Sequence, residues 1–95
     1  MLSEFGRTFR ENGDKGTDHG HGSAYWVLGG NIKGGRILGN QVKITQATLN
    51  QNRDLPVLND YRGLLGGLIK RQFGLSDARL ASVFPDCPAT DLSLI

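Results

Sequence analysis

Ten of the 14 glycines in this chain fall within its first 39 residues, at positions 6, 13, 16, 20, 22, 29, 30, 34, 35 and 39. Glycine loses more backbone entropy on folding than any other residue and packs no side chain, so a stretch this rich in it is a poor builder of long regular elements. The front of the chain is therefore expected to consist of loops joining very short strands. Regular structure belongs in the back, which holds the other four glycines.

Met1 to Phe5 reads as a strand that begins at the first residue and is turned away at Gly6, an expectation of truncation. Asn12-Gly13 and Asp14-Lys15-Gly16 are turn formers, because Gly supplies positive φ and Asn or Asp bonds its own backbone, so residues 9–22 read as a loop. Ser23 to Leu28 contains Tyr25, Trp26 and Val27 and is too short for a helix, which predicts a buried strand closed by Gly29-Gly30. Residues 32–39 read as a tight hairpin, and residues 41–52 as an extended surface segment.

Further on, Tyr61, Leu64, Leu65, Leu68, Ile69 and Phe73 recur at helical spacing, with Asn59 or Asp60 as N-cap and Gly74 as the terminating residue. Gly63, Gly66 and Gly67 each weaken such a helix by about 1 kcal/mol relative to Ala, which predicts close packing on a sheet. A second helix begins at Ser76, with Leu75 and Leu80 at the positions of a hydrophobic staple, and stops before Pro85. Residues 85–95 read as an irregular covering segment. Together these form one α/β domain: a glycine-rich strand and loop region over 1–39, a connector over 40–58, two helices over 59–84 and the tail.

A length of 95 residues with 38% hydrophobic side chains supports one small core. The net charge of +2 arises from 11 basic and 9 acidic residues scattered along the chain, not from the clustered basic face that nucleic-acid binding needs. Cys87 stands alone, which excludes an intrachain disulfide and a cysteine metal pair. No apolar run approaches the roughly 20 residues that span a bilayer, and the first residues lack the pattern of a signal peptide.

The densest set of possible ligands is Asp18-His19-Gly20-His21, a carboxylate and two imidazoles in four residues, preceded by Gly16-Thr17 and followed by Gly22. Nitrogen and oxygen donors of this kind suit zinc, manganese or a similar divalent ion, although two solvated histidines in a polar loop have the same spacing. Glu4 and Arg7 flank the turn at the end of the first strand. Enzymes with α/β sheets place functional side chains there, so Glu4 is a candidate ligand or base and Arg7 a candidate anion contact; a surface ion pair is the plainer alternative. The glycines at 29–39 lack both the Gly-Lys-Ser/Thr ending of a P-loop and the Rossmann spacing, so they read as structural turns.

Leu2-Ser3-Glu4-Phe5-Gly6-Arg7-Thr8, Asn12-Gly13, Gly16-Thr17-Asp18-His19-Gly20, Leu28-Gly29-Gly30 and Lys33-Gly34-Gly35-Arg36 form a pattern continued by Asp54-Leu55-Pro56-Val57, Asp60-Tyr61-Arg62 and Val83-Phe84-Pro85. This pattern resembles the C-terminal part of an uncharacterised bacterial family of sulfatase-related proteins in the alkaline-phosphatase-like superfamily. The resemblance implies a fragment of an α/β/α sandwich and a metal-dependent hydrolase of phosphate or sulfate esters. It also implies a divalent cofactor, whether zinc, manganese or calcium.

By that comparison Asp18 and His19 are the leading ligands, with His19 as the late histidine that also precedes a strand in the similar Gly-Thr-Asp-His segments of phosphopentomutases. Glu4 and His21 are further ligands. Phe5 stands where the superfamily places a ligating histidine, and the nucleophile and first aspartates lie upstream in such enzymes. The resemblance thus implies a partial site, inactive alone, whose partner is the missing N-terminal part of an exported parent protein. The alternative is a non-catalytic module that keeps this fold and forms homo-oligomers.

Overall fold

The computed structural model describes residues 1–95. In chain order it contains strands β1 (Gly6–Arg7) and β2 (His19–Gly20), a 3-10 turn (Gln46–Thr48), and helices α1 (Tyr61–Phe73) and α2 (Asp77–Val83). The chain folds as two compact units, one comprising Met1–Val27 with Asn40–Leu58 and the other Leu28–Gly39 with Asn59–Ile95.

In the first unit β1 and β2 pair antiparallel, Gly6 opposite Gly20 and Arg7 opposite His19. Glycine is required at these crossings because a Cβ on Gly6 would overlap the His21 backbone, and one on Gly20 would lie 2.7 Å from the Arg7 carbonyl carbon. The expected strand over residues 1–5 does not form: only Met1 pairs, exchanging hydrogen bonds with Trp26, and the ladder begins at Gly6, just past the end of the expected strand. The expected strand over 23–28 is likewise irregular, since Met1 is its only ladder partner; Trp26 and Leu28 stay exposed. The segment over 41–52 is not extended throughout either. Thr48 Oγ1 accepts from Thr45 N at 2.8 Å and closes the 3-10 turn, and Gln51 and Asn52 take left-handed conformations in the bend from Asn50 to Asp54.

The second unit is built on the two helices. Asp60 caps α1 by accepting from Arg62 N at 2.9 Å, and Gly74, at φ 64°, closes it with its N–H on the Lys70 carbonyl at 2.8 Å. Ser76 caps α2 by accepting from Arg79 N at 3.3 Å, and α2 ends before Pro85 as expected. The buried residues of α1 are Gly63, Gly66 and Gly67. They lie against the tail and not against a sheet: Thr90 donates to the Gly63 carbonyl at 2.9 Å, and Ala89 sits over Gly66. Residues 32–39 form no hairpin, because Lys33 N–H goes instead to the Leu94 carbonyl at 2.7 Å and Arg36 reaches Ser93 O at 2.8 Å.

The Arg62 guanidinium and backbone hydrogen bonds hold the Asp60 carboxyl down at about 2. A carboxyl lowered on folding stabilises the folded state above its unfolded value of 3.8, and that contribution is lost as pH falls through the folded value. The helical circular-dichroism signal is expected to weaken between about pH 4 and pH 2 in the native chain, with a smaller acid-dependent change in Asp60→Asn. Identical acid profiles would exclude this cap as the source.

Candidate functional site

Asp54 is the one fully buried side chain, and it is a carboxylate. Burying such a group is unfavourable unless its oxygens are paired. One oxygen accepts from Arg53 Nε at 2.7 Å and the other is bonded to His21 Nδ1. These two partners, His21 first, hold the Asp54 carboxyl below the usual carboxylate range against the opposing effect of burial. The backbone fixes it as well. Asp54 exchanges bonds with Asn50 and forms a bridge to Thr8, while Leu55 N reaches the Arg7 carbonyl at 3.3 Å.

The predicted segment is clamped by the same elements. Thr8, itself buried, binds the Asp18 backbone on both sides, its N–H on the Asp18 carbonyl at 3.1 Å and its hydroxyl accepting from Asp18 N at 3.0 Å. The Asp18 carboxylate accepts from Asn12 Nδ2 at 2.9 Å, and the Asn12 side-chain Oδ1 accepts from Asp14 N and Gly16 N to shape the preceding turn. His19 is exposed and lies against the Phe5 ring, centroids 5.4 Å apart. His21 is also open, with 60% of its side chain exposed, but unlike His19 it has a carboxylate partner.

Arg7 donates from Nη1 to the Thr17 carbonyl at 2.8 Å, and Glu4 is exposed. Thus Asp18, His19 and His21 occupy one clamped segment beside β1. No three of Glu4, Asp18, His19 and His21 converge as a ligand group, nor do any other three His, Cys, Asp or Glu side chains. Asp54 and Thr8 carried no role in the sequence reading. Asp54 meets His21 across 33 positions, and no local pattern marks that contact.

Fold and site define a small α/β protein with a two-stranded antiparallel ladder, two helices and a histidine held by a buried carboxylate. The family described as "Protein of unknown function (DUF1501)" matches residues 1–84, and the chain belongs to that family. No curated protein and no solved structure matches it. No helix is long and apolar enough to cross a membrane.

Proposed function

We propose that this chain is the C-terminal, metal-binding portion of a hydrolase acting on phosphate or sulfate esters, inactive without the rest of its catalytic machinery. The observation that carries the reading is the histidine segment with a buried Asp54 behind it, because histidines that ligate metals usually donate their second ring N–H to a carboxylate or carbonyl. The resemblance to sulfatase-related, alkaline-phosphatase-like proteins supplies the reaction class. Individually the donors suit a divalent ion: Asp18 offers carboxylate oxygen, and His19 and His21 offer imidazole nitrogen. As a set they are incomplete, since no three converge. A bound ion would stabilise charge on a transferring phosphoryl or sulfuryl group. Arg7, with one N–H on Thr17, keeps further donors for an anionic substrate group.

Metal analysis of the purified chain after equilibration with zinc, manganese or calcium tests this. The native chain is expected to retain a divalent ion that a variant with Asp18, His19 and His21 all changed to Ala does not retain. Equal metal content in the two proteins would sink the reading.

A second reading, an oligomerising module without catalysis, is favoured by the distribution of apolar side chains. Thirteen large ones are exposed, among them Leu2, Phe5, Trp26, Ile37 and Phe73, while only Leu49 and Leu80 form buried core. Exposed apolar surface on this scale drives association. Light scattering on the native chain is then expected to give a multiple of the single-chain mass. A monomer at every concentration would remove this reading.

A further inference from the structure

Burial along β1 and its flanks is inverted. From Phe5 to Phe9 exposure alternates, but the buried positions are Gly6 and Thr8, while Phe5, Arg7 and Phe9 stand in solvent. A half-buried strand ordinarily turns its apolar side chains to the core and its polar ones to water. Here two rings remain 57% and 53% exposed on either side of a guanidinium.

We propose that this outer face of β1 binds a free dinucleotide, two planar rings joined through phosphate, with the rings on Phe5 and Phe9 and the phosphate on Arg7. The face shares Arg7 with the hydrolase reading but needs neither a bound metal nor hydrolysis.

The register brings the three side chains together. His19 lies opposite Arg7 in the ladder and its ring meets Phe5, centroids 5.4 Å apart, so Phe5 and Arg7 share a face. Phe9 follows in the same alternation, exposed beyond buried Thr8, and its N–H is tied to the Arg53 carbonyl at 3.1 Å. Alternate residues of a strand lie about 7 Å apart, which puts each ring about 7 Å from the cation and about 13 Å from the other ring. An extended dinucleotide has the same order of groups at comparable spacing.

Each group has the chemistry for its part. Aromatic rings stack on nucleobases with little regard to which base is present, and His19 holds the Phe5 ring in place. Arg7 gives Nη1 to the Thr17 carbonyl at 2.8 Å, which orients the guanidinium and leaves its other N–H groups for phosphate oxygens. Arg53, paired through its backbone with Phe9 and 59% exposed, gives Nε to Asp54 and keeps its terminal amino groups for a further oxygen. Between Phe5 and Phe9 no acidic residue opposes an anion.

Other occupants fit less well. A second copy laid antiparallel on this face matches Phe5 with Phe9 but sets Arg7 against Arg7, a like-charge contact. A long single strand of nucleic acid needs a basic track for successive phosphates, and the charges of this chain are dispersed.

Calorimetric titration of the full chain, with a chelator present, tests this with diadenosine pyrophosphate, adenosine monophosphate, inorganic pyrophosphate and oligoadenylates of increasing length. Diadenosine pyrophosphate is expected to bind one to one and at least about 10-fold more tightly than adenosine monophosphate, because its second ring binds as a tethered group. Phe5→Ala and Phe9→Ala should each weaken the dinucleotide about 5- to 150-fold, the range for losing one stacked ring, whereas Phe5→Tyr and Phe9→Tyr should retain it. Arg7→Gln should weaken every phosphorylated ligand; if that variant does not fold, the paired Ala and Tyr variants decide the matter alone.

No dinucleotide binding at millimolar ligand, equal affinity for mononucleotide and dinucleotide, unchanged affinity in the two Ala variants, or affinity that keeps rising with oligoadenylate length would each overturn the proposal. All four leave the hydrolase reading standing. Conversely, a chain that retains no divalent ion would sink the hydrolase reading and leave the dinucleotide face intact.

Discussion

Asp54→Ala is expected to strip hydrogen-exchange protection from the amides of Thr8, Phe9, Asp54 and Leu55, whereas Asp54→Asn keeps most of it. In the native chain these four amides donate to Asp18, Arg53, Asn50 and Arg7, so they report on the packing of residues 50–55 against β1 and its neighbours. Leu49 is the only buried apolar side chain in this unit, which leaves polar bonding through Asp54 to hold the bend in place. Alanine removes both acceptors and leaves a hole where a fully buried side chain stood. Asparagine fills the same space and keeps one acceptor oxygen. The acid limb has a defined sign: because folding lowers the Asp54 pKa, its contribution is present at neutral pH and disappears as pH drops below the ordinary carboxylate range. Unchanged protection in Asp54→Ala would show that the bend is held by its backbone bonds alone.

The second large effect is a contrast between adjacent glycines of α1. Gly67→Ala is expected to destabilise the chain by about 1–3 kcal/mol, the range for overpacking a close contact, and to expose the tail to protease. Gly66→Ala should instead stabilise it by about 1 kcal/mol through helix propensity. A Cβ at Gly66 meets Ala89 and Phe84 at ordinary distances of 3.6–3.8 Å. At Gly67 it would overlap the Thr90 carbonyl and lie 3.2 Å from Asp91 N, both of which are backbone and cannot swing aside. Thermal melts of the two variants check this, and equal midpoints would show that the tail does not rest on α1 in solution.

The helical half was legible because its determinants are local. Asp60, Gly74, Ser76 and Pro85 act within a turn of their own positions, and each does so in the structure. The strands were not legible, because a strand exists only where another segment completes its ladder. Tyr25 to Leu28 has β-favouring side chains but finds Met1 alone. The glycine face of α1 correctly announced a close neighbour, yet nothing in three glycines distinguishes a sheet from an irregular tail.

At the site, the ligand-rich stretch from Asp18 to His21 was visible as a cluster in sequence. The carboxylate that sorts its two histidines was not, because the meeting of Asp54 with His21 depends on a bend whose left-handed residues include Gln51, a type with no preference for that conformation.

The scarcity of buried apolar side chains has a calorimetric consequence. The heat capacity of unfolding is set mainly by the apolar surface newly exposed to water. With Leu49 and Leu80 as the only buried hydrophobic side chains, a single copy of this chain has little such surface left to expose. Its heat-capacity increment should fall well below the usual value of about 12–15 cal/mol/K per residue, and its denaturant dependence should be correspondingly shallow. Its stability curve would then be flat, changing little across the ordinary range of temperature.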